Sequence, residues 1–244
     1  MTYTVMACNT DTQEIGIALT TVTINCARIA PFHHGLLPNW NPKGLVASPQ
    51  ATVNPHNAHK MFELWDEGKS FDEIESTLST FDSHWSWRQV GAVTASGEVY
   101  AYTGKDAWNH ASHIKGDGSL VMGNFMNGPT PVQAMAEALN ENKSESMQER
   151  LMRGLEAGRA AGGQADPESG PVPELFAMIQ VFNGKQPWPS VDLRVDFDLH
   201  AIPKLRRLLE QTQKLDPVLQ TMYENPSATF DEYHVVLEIM NSQI

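Results

Sequence analysis

Strand-forming segments in this chain come in blocks and helical segments in pairs, and that order narrows the possible folds more than any single motif. Residues 3–8 and 15–20 are β-branched or small apolar runs joined by the turn-forming Asn9-Thr10-Asp11-Thr12, which predicts a hairpin at the start of the chain. Residues 22–31 read as a third strand and 35–43 as a loop carrying Pro38, Trp40 and Pro42. Residues 44–53 read as a fourth strand, interrupted or at an edge because Pro49 cannot donate to a ladder. Two helices follow. Asn54-Pro55 supplies a cap and a first-turn proline for one with Ala58, Met61, Phe62 and Trp65 on a single face, ended by Gly68. Ser70 and Glu73 form a capping box for the other, which buries Phe71, Ile74 and Leu78. A second hairpin is predicted from residues 89–94 and 98–103 around Ala95-Ser96-Gly97, followed by a loop over 104–118 and a strand over 119–124. Capping boxes at Thr130 with Gln133 and at Ser146 with Glu149 open another helix pair, one through Met135 and Leu139, the other through Met147, Leu151 and Leu155. Residues 158–163 stop the second of these. A polar stretch over 164–173 leads to strands at 175–182 and 191–196 and to a helix marked by Ile202, Leu205, Leu208 and Leu209. Single helices do not alternate with single strands, so an α+β layered sandwich of largely antiparallel sheets is expected in place of a doubly wound parallel sheet. One domain over residues 1–213 is expected, with a C-terminal helical extension over 214–244.

The formal charge of −12, with no basic cluster longer than Arg206-Arg207, excludes nucleic acid and an anionic membrane surface as general partners. No apolar run approaches the roughly 20 residues that span a bilayer, and the start lacks a basic and then apolar leader, so a cytoplasmic location is the default expectation. Cys8 and Cys26 are too few for a disulfide framework and match no zinc spacing; both are expected as small buried residues.

A strand beginning at Thr2 fixes the terminus in space. If the initiator Met1 is removed, as commonly happens before a small residue, Thr2 carries a hydroxyl and an α-amine on one residue. Such an amine titrates near about 8 and can act as general base for the hydroxyl. A Met-Thr start before an edge strand needs no catalytic explanation, and these residues alone leave both readings open. The nine histidines form no metal motif: His56 and His59 lack an acidic third ligand, His33 and His34 are adjacent, and His110 and His113 flank a loop. No metal or other cofactor is expected, and a metal-dependent hydrolase using His110 and His113 ranks below the other readings. Three polar clusters sit at or in apolar strands. Arg88-Gln89 opens the second hairpin, Gly123-Asn124 closes the next strand, and Asp192, Arg194 and Asp196 share one strand face. That face is either a solvated edge with a salt bridge or a cleft wall on which Arg194 holds a carboxylate by its fork. Asn124 and Gln89 either donate to a developing oxyanion or satisfy buried backbone groups.

In collinear order over residues 2 to 210 the chain also carries the following stretches: Met1-Thr-Tyr-Thr-Val-Met-Ala7, Glu14-Ile-Gly-Ile-Ala18, Gln50-Ala-x-x-Asn-Pro55, Arg88-Gln-Val-Gly91, Gly97, Thr103-Gly104, His113 with Gly116, Gly123-Asn124, Glu149-Arg-Leu151, Leu155-Glu-Ala-Gly158, Ala161-Gly-Gly163 and Asp192-Leu-Arg-Val-Asp196. This ordered set resembles the family called domain of unknown function 1028, which is grouped with the N-terminal nucleophile (Ntn) hydrolases. The resemblance implies a four-layer αββα sandwich of mainly antiparallel sheets with Thr2 at the head of a strand. It also implies either hydrolysis of a C–N amide bond in a small molecule or peptide, or a catalytically silent binding protein of the same fold. On the first reading Thr2 attacks, with Asn124 and Gln89 as the catalytic amides. Arg28, His33, Gln50, Asn54, Arg88, His113, Asp192 and Arg194 are the expected substrate-binding residues, and a homo-oligomer is expected. The chain departs from the family where members carry Gly-Asp-x-Arg-Gly-x-Gln-Ser-Ala: here Gly162 to Gly170 lacks the Arg and the Gln-Ser. It departs again over residues 29–40 and at Asp196-Phe197-Asp198.

Overall fold

The structure, a computed structural model, describes residues 1–23, 44–185, 189–214 and 241. Its centre is the opening hairpin. Strand β1 (Thr2–Asn9) pairs with β2 (Glu14–Thr21) on one side and with β7 (Ser119–Asn124) on the other. Strand β6 (Ser112–Gly116) lies beyond β7, while β10 (Phe176–Phe182) and β11 (Val191–Val195) lie beyond β2, giving a six-stranded sheet in the order β11-β10-β2-β1-β7-β6. A three-stranded sheet holds β3 (Leu45–Ala51), β4 (Arg88–Thr94) and β5 (Val99–Thr103), in that order. Both sheets are antiparallel throughout, and the chain is a mixed α+β structure.

Side-chain alternation sorts the strands into layers. Tyr3, Val5 and Ala7 of β1 join an apolar cluster with Met135 and Leu139 of helix α3 (Thr130–Glu141), Leu151 and Leu155 of α4 (Met147–Ala160), and Leu205 and Leu209 of α5 (Ala201–Gln213). Met6 and Cys8, on the opposite face of β1, meet Val46 and Val93 of the smaller sheet. The outer face of that sheet, with Ala47, Val90 and Ala92, is covered by Met61 and Phe62 of α1 (Pro55–Asp66) and by Ile74 and Leu78 of α2 (Phe71–Phe81). Even-numbered residues of β1 therefore face the space between the sheets, and Thr2 is one of them. Among the described residues no helix is long and apolar enough to cross a membrane.

Several sequence expectations need correction. The predicted loop over 104–118 contains β6, which forms a hairpin with β7 through Asp117-Gly118; Gly118 supplies the positive φ, +56°, that this turn requires. The polar stretch over 164–173 holds a small hairpin of β8 (Ala165–Asp166) and β9 (Gly170–Pro171). The box expected at Thr130 does not form, because Pro129 already has helical φ and ψ and serves as the cap, which makes Thr130 the first helical residue. Ser146 caps α4 without a side-chain hydrogen bond, whereas Ser70 and Glu73 make both bonds of their box. The expected third strand from residue 24, Cys26 and the tail pieces at 218–223 and 232–240 lie outside the described residues.

Candidate functional site

Six polar side chains meet on one rung of each sheet. In the larger sheet Thr2 stands opposite Thr21 on β2 and opposite Asn124 on β7. In the smaller sheet Gln89 stands opposite Gln50 on one side and Thr103 on the other. Stacking the two sheets brings the rungs together. Thr2 donates its backbone N–H to Asn124 Oδ1 at 3.1 Å, and its hydroxyl lies 3.2 Å from the hydroxyl oxygen of Thr21. Thr21 in turn donates to the Met1 carbonyl oxygen at 2.5 Å.

A chain of buried amides fixes the position of Asn124. Its Nδ2 donates to Gln89 Oε1 at 3.1 Å, and that oxygen also accepts from Gln50 Nε2 at 2.6 Å. Gln50 accepts from the Thr4 hydroxyl at 2.7 Å, while Gln89 Nε2 faces the Thr103 hydroxyl and the carbonyls of Ser112 and Gly123 at 3.0–3.1 Å. Reversing either Gln89 or Asn124 would set donor against donor, so the network admits one orientation of both. Thr4, Gln89 and Asn124 are fully buried, which makes every unmet bond costly. Replacing Gln89 by leucine strands Asn124 Nδ2, at about 1–3 kcal/mol, and leaves Gln50 Nε2 with only its 3.5 Å bond to the Thr2 carbonyl oxygen. We expect the urea midpoint to fall with an unchanged slope; an unchanged midpoint would contradict this role.

A second buried cluster braces the strand end beside this site. Arg88 grips Asp82 through Nε at 2.8 Å and Nη2 at 3.1 Å, and its remaining Nη1 donates to the Thr52 carbonyl. Asn54 and Asn57 each donate to Asp82 Oδ2 at 2.8 Å. Burial alone would raise the Asp82 pKa, but the bonds from Arg88, Asn54 and Asn57 outweigh it and hold the carboxyl well below the usual range. Ala51 and Phe125, which directly follow Gln50 and Asn124, have φ of +69° and +55°. Such conformations cost about 1–3 kcal/mol each and persist only where the surroundings enforce them.

Burial also acts on the chain terminus: the Met1 amine is lowered from 8.0 to about 6 by desolvation. His113, whose Nδ1 lies 2.8 Å from the Thr103 hydroxyl oxygen, is lowered by burial and then by Lys115.

Of the residues singled out in the sequence, Thr2, Asn124, Gln89, Gln50 and His113 converge here through one hydrogen-bonded chain. Asn54 and Arg88 belong to the Asp82 brace, and the fork of Arg88 is filled by that carboxylate. Asp192 and Arg194 stand on the edge strand β11, where Gln180 donates to Asp192 at 3.0 Å and Arg194 bonds Asp196 at 2.8 Å. Arg28, His33 and His34 lie outside the described residues. Sequence reasoning missed Thr4, Thr21, Thr103 and Asp82. Thr4 carried a signal, a hydroxyl two residues from Thr2 and so on the same strand face; Thr21, Thr103 and Asp82 carried none. Among the described residues no three His, Cys, Asp or Glu side chains are grouped to hold a metal ion.

No curated protein matches the chain. Its fold is similar to the crystal structure of protein SPO2555 from Silicibacter pomeroyi, assigned to DUF1028, with a TM-score of 0.72 and 21% identity over 86% of this chain and 88% of that one. The model of the family of unknown function DUF1028 matches residues 2–205, and with the fold and the opening strand in place the chain belongs to that family.

Proposed function

We propose that the chain is an N-terminal-nucleophile hydrolase that cleaves the C–N amide bond of a small molecule or peptide, built on a four-layer αββα sandwich. The order of helices, sheet, sheet and helices described above supports the sandwich. One observation carries the chemistry. Thr2 heads the central strand with its side chain toward the space between the sheets and its nitrogen held by Asn124 Oδ1 at 3.1 Å. After removal of Met1 that nitrogen is the α-amine. Thr2 Oγ attacks the substrate carbonyl carbon while its proton passes to the amine; the C–N bond then breaks as the amine returns the proton to the leaving nitrogen. Water repeats the sequence to free the acyl group. Asn124 orients the amine and Gln89 orients Asn124. With its own nitrogen committed to Thr103, Ser112 and Gly123, Gln89 is a positioning residue.

The amine accepts a proton only when neutral, so activity rises with pH through its pKa. An α-amine ordinarily titrates at about 8. The rising limb of kcat/KM on an amide substrate is therefore expected to follow that titration, and a rate that stays level from about pH 6 to about pH 9 would contradict the proposal. A second reading, a binding protein that keeps Met1, draws on the bond between Thr21 and the Met1 carbonyl oxygen.

A further inference from the structure

Beside the polar site stands a group of aromatic rings that the chemistry above does not use. Trp108 lies 5.5 Å, centre to centre, from Trp87 on one side and from Phe125 on the other. Trp87 is 37% exposed and Trp108 45%, far more than an indole normally shows unless it meets something. The three rings come from separate segments: the 3-10 turn Trp85–Trp87, the stretch between β5 and β6, and the residue that follows Asn124.

Each ring is held in place. Trp108 donates its indole N–H to the Thr52 hydroxyl at 3.1 Å, and the Thr52 carbonyl is gripped by Arg88 from the buried Asp82 cluster. The segment carrying Trp108 is tied to the turn carrying Trp87 by Gly104 N–H to the Arg88 carbonyl and Asp106 N–H to the Ser86 carbonyl, both 2.8 Å. A Cβ on Gly104 would come within 2.2 Å of that Ser86 oxygen, so the two segments touch with no room to slide. Phe125 holds its left-handed backbone at the end of β7. With its only polar atom turned back to Thr52, Trp108 offers carbon surface alone, which selects by shape and stacking and not by hydrogen bonding. The rings also border the polar site along the chain: Phe125 follows Asn124, and Thr52 stands two residues beyond Gln50.

We propose that Trp108, flanked by Trp87 and Phe125, is the platform on which a flat apolar group of the ligand stacks, so that the preferred amides carry an aryl or indolyl ring beside the bond presented to Thr2. The placement of the amide rests on Thr2 as nucleophile; the stacking does not. The test uses Thr2→Ala protein and two probes, phenylacetamide and acetamide, with binding followed by calorimetry, alongside hydrolysis of both by the unaltered protein. Phenylacetamide is expected to bind about tenfold or more tightly than acetamide. Trp108→Ala is expected to abolish that margin, and Trp108→Phe, which keeps a ring but not the Thr52 bond, to keep most of it. Because Trp108 is nearly half exposed and stands at the surface, both variants should keep the parent thermal midpoint within a few degrees. Equal binding of the two probes, or a margin that survives in Trp108→Ala, overturns the platform. Loss of a dimer in Trp108→Ala on sedimentation, with no ring preference, also overturns it, since the rings would then cover a second copy of the chain. A Trp108-dependent margin without hydrolysis leaves the platform standing and removes the nucleophile. Hydrolysis without a ring preference does the reverse.

Discussion

Thr2→Ala is expected to abolish amide hydrolysis, lowering kcat by about 10³-fold or more, the scale on which removal of a nucleophile acts in related chemistry. Thr2→Ser should retain measurable activity, because it keeps the hydroxyl, the amine and the small side chain that permits removal of Met1. The two variants separate chemistry from structure. Thr2 sits at the head of β1 with its backbone paired on both sides, and the change to alanine removes the γ-methyl and the hydroxyl with its contact to Thr21 at 3.2 Å. Stability should change by no more than about 1 kcal/mol. Thr2→Ala protein that turns over amides at the parent rate would place the chemistry elsewhere. Asn124→Ala is a weaker version of the same test, because it frees the amine to rotate without removing it.

The largest loss of stability is expected from Asp82→Ala, at about 3–5 kcal/mol, the usual cost of removing one partner of a buried ion pair. The reason is what remains behind. Arg88, itself buried, keeps its charge but loses both contacts of its fork, and the side chains of Asn54 and Asn57 lose their acceptor. The pH dependence has a definite sign. The folded pKa of Asp82 is depressed, so its contribution is complete above the ordinary carboxylate value near 4 and is lost as pH falls below that value toward the folded one. The parent and Asp82→Ala should thus differ most in urea midpoint at pH 5 and above, and converge in strong acid. An equal gap at pH 7 and pH 2 would contradict the assignment. The Thr52 carbonyl is tied to the same guanidinium, so the variant should also weaken stacking on Trp108, joining the two clusters experimentally.

The features legible in the sequence are those written in neighbouring residues. The β-branched and small apolar runs over residues 3–8 and 15–20 marked β1 and β2, and the Ser70 and Glu73 box formed as read, because cap and partner lie within one helical turn. The Asp117-Gly118 turn was equally local but was masked by the polar, histidine-bearing surroundings that made 104–118 look like loop, so β6 went unread. The site was only half legible. Gln89 and Asn124 stood out as polar residues at the ends of apolar strands and Gln50 only through the family resemblance, but their meeting depends on the register of two sheets stacked face to face, and no local period encodes that. The same holds for Asp82, whose partners come from α1 and β4.

Whether Thr2 has a free amine decides the proposed chemistry, and the intact mass of the purified protein reads it directly. The chemistry predicts a chain lighter by one methionine, with Thr2 as the first residue on N-terminal sequencing. It also predicts that brief exposure to an activated ester leaves a hydroxylamine-labile ester on the Thr2 hydroxyl in the parent and no such ester in Thr2→Ala. A chain that keeps Met1 while hydrolysing amides would contradict it.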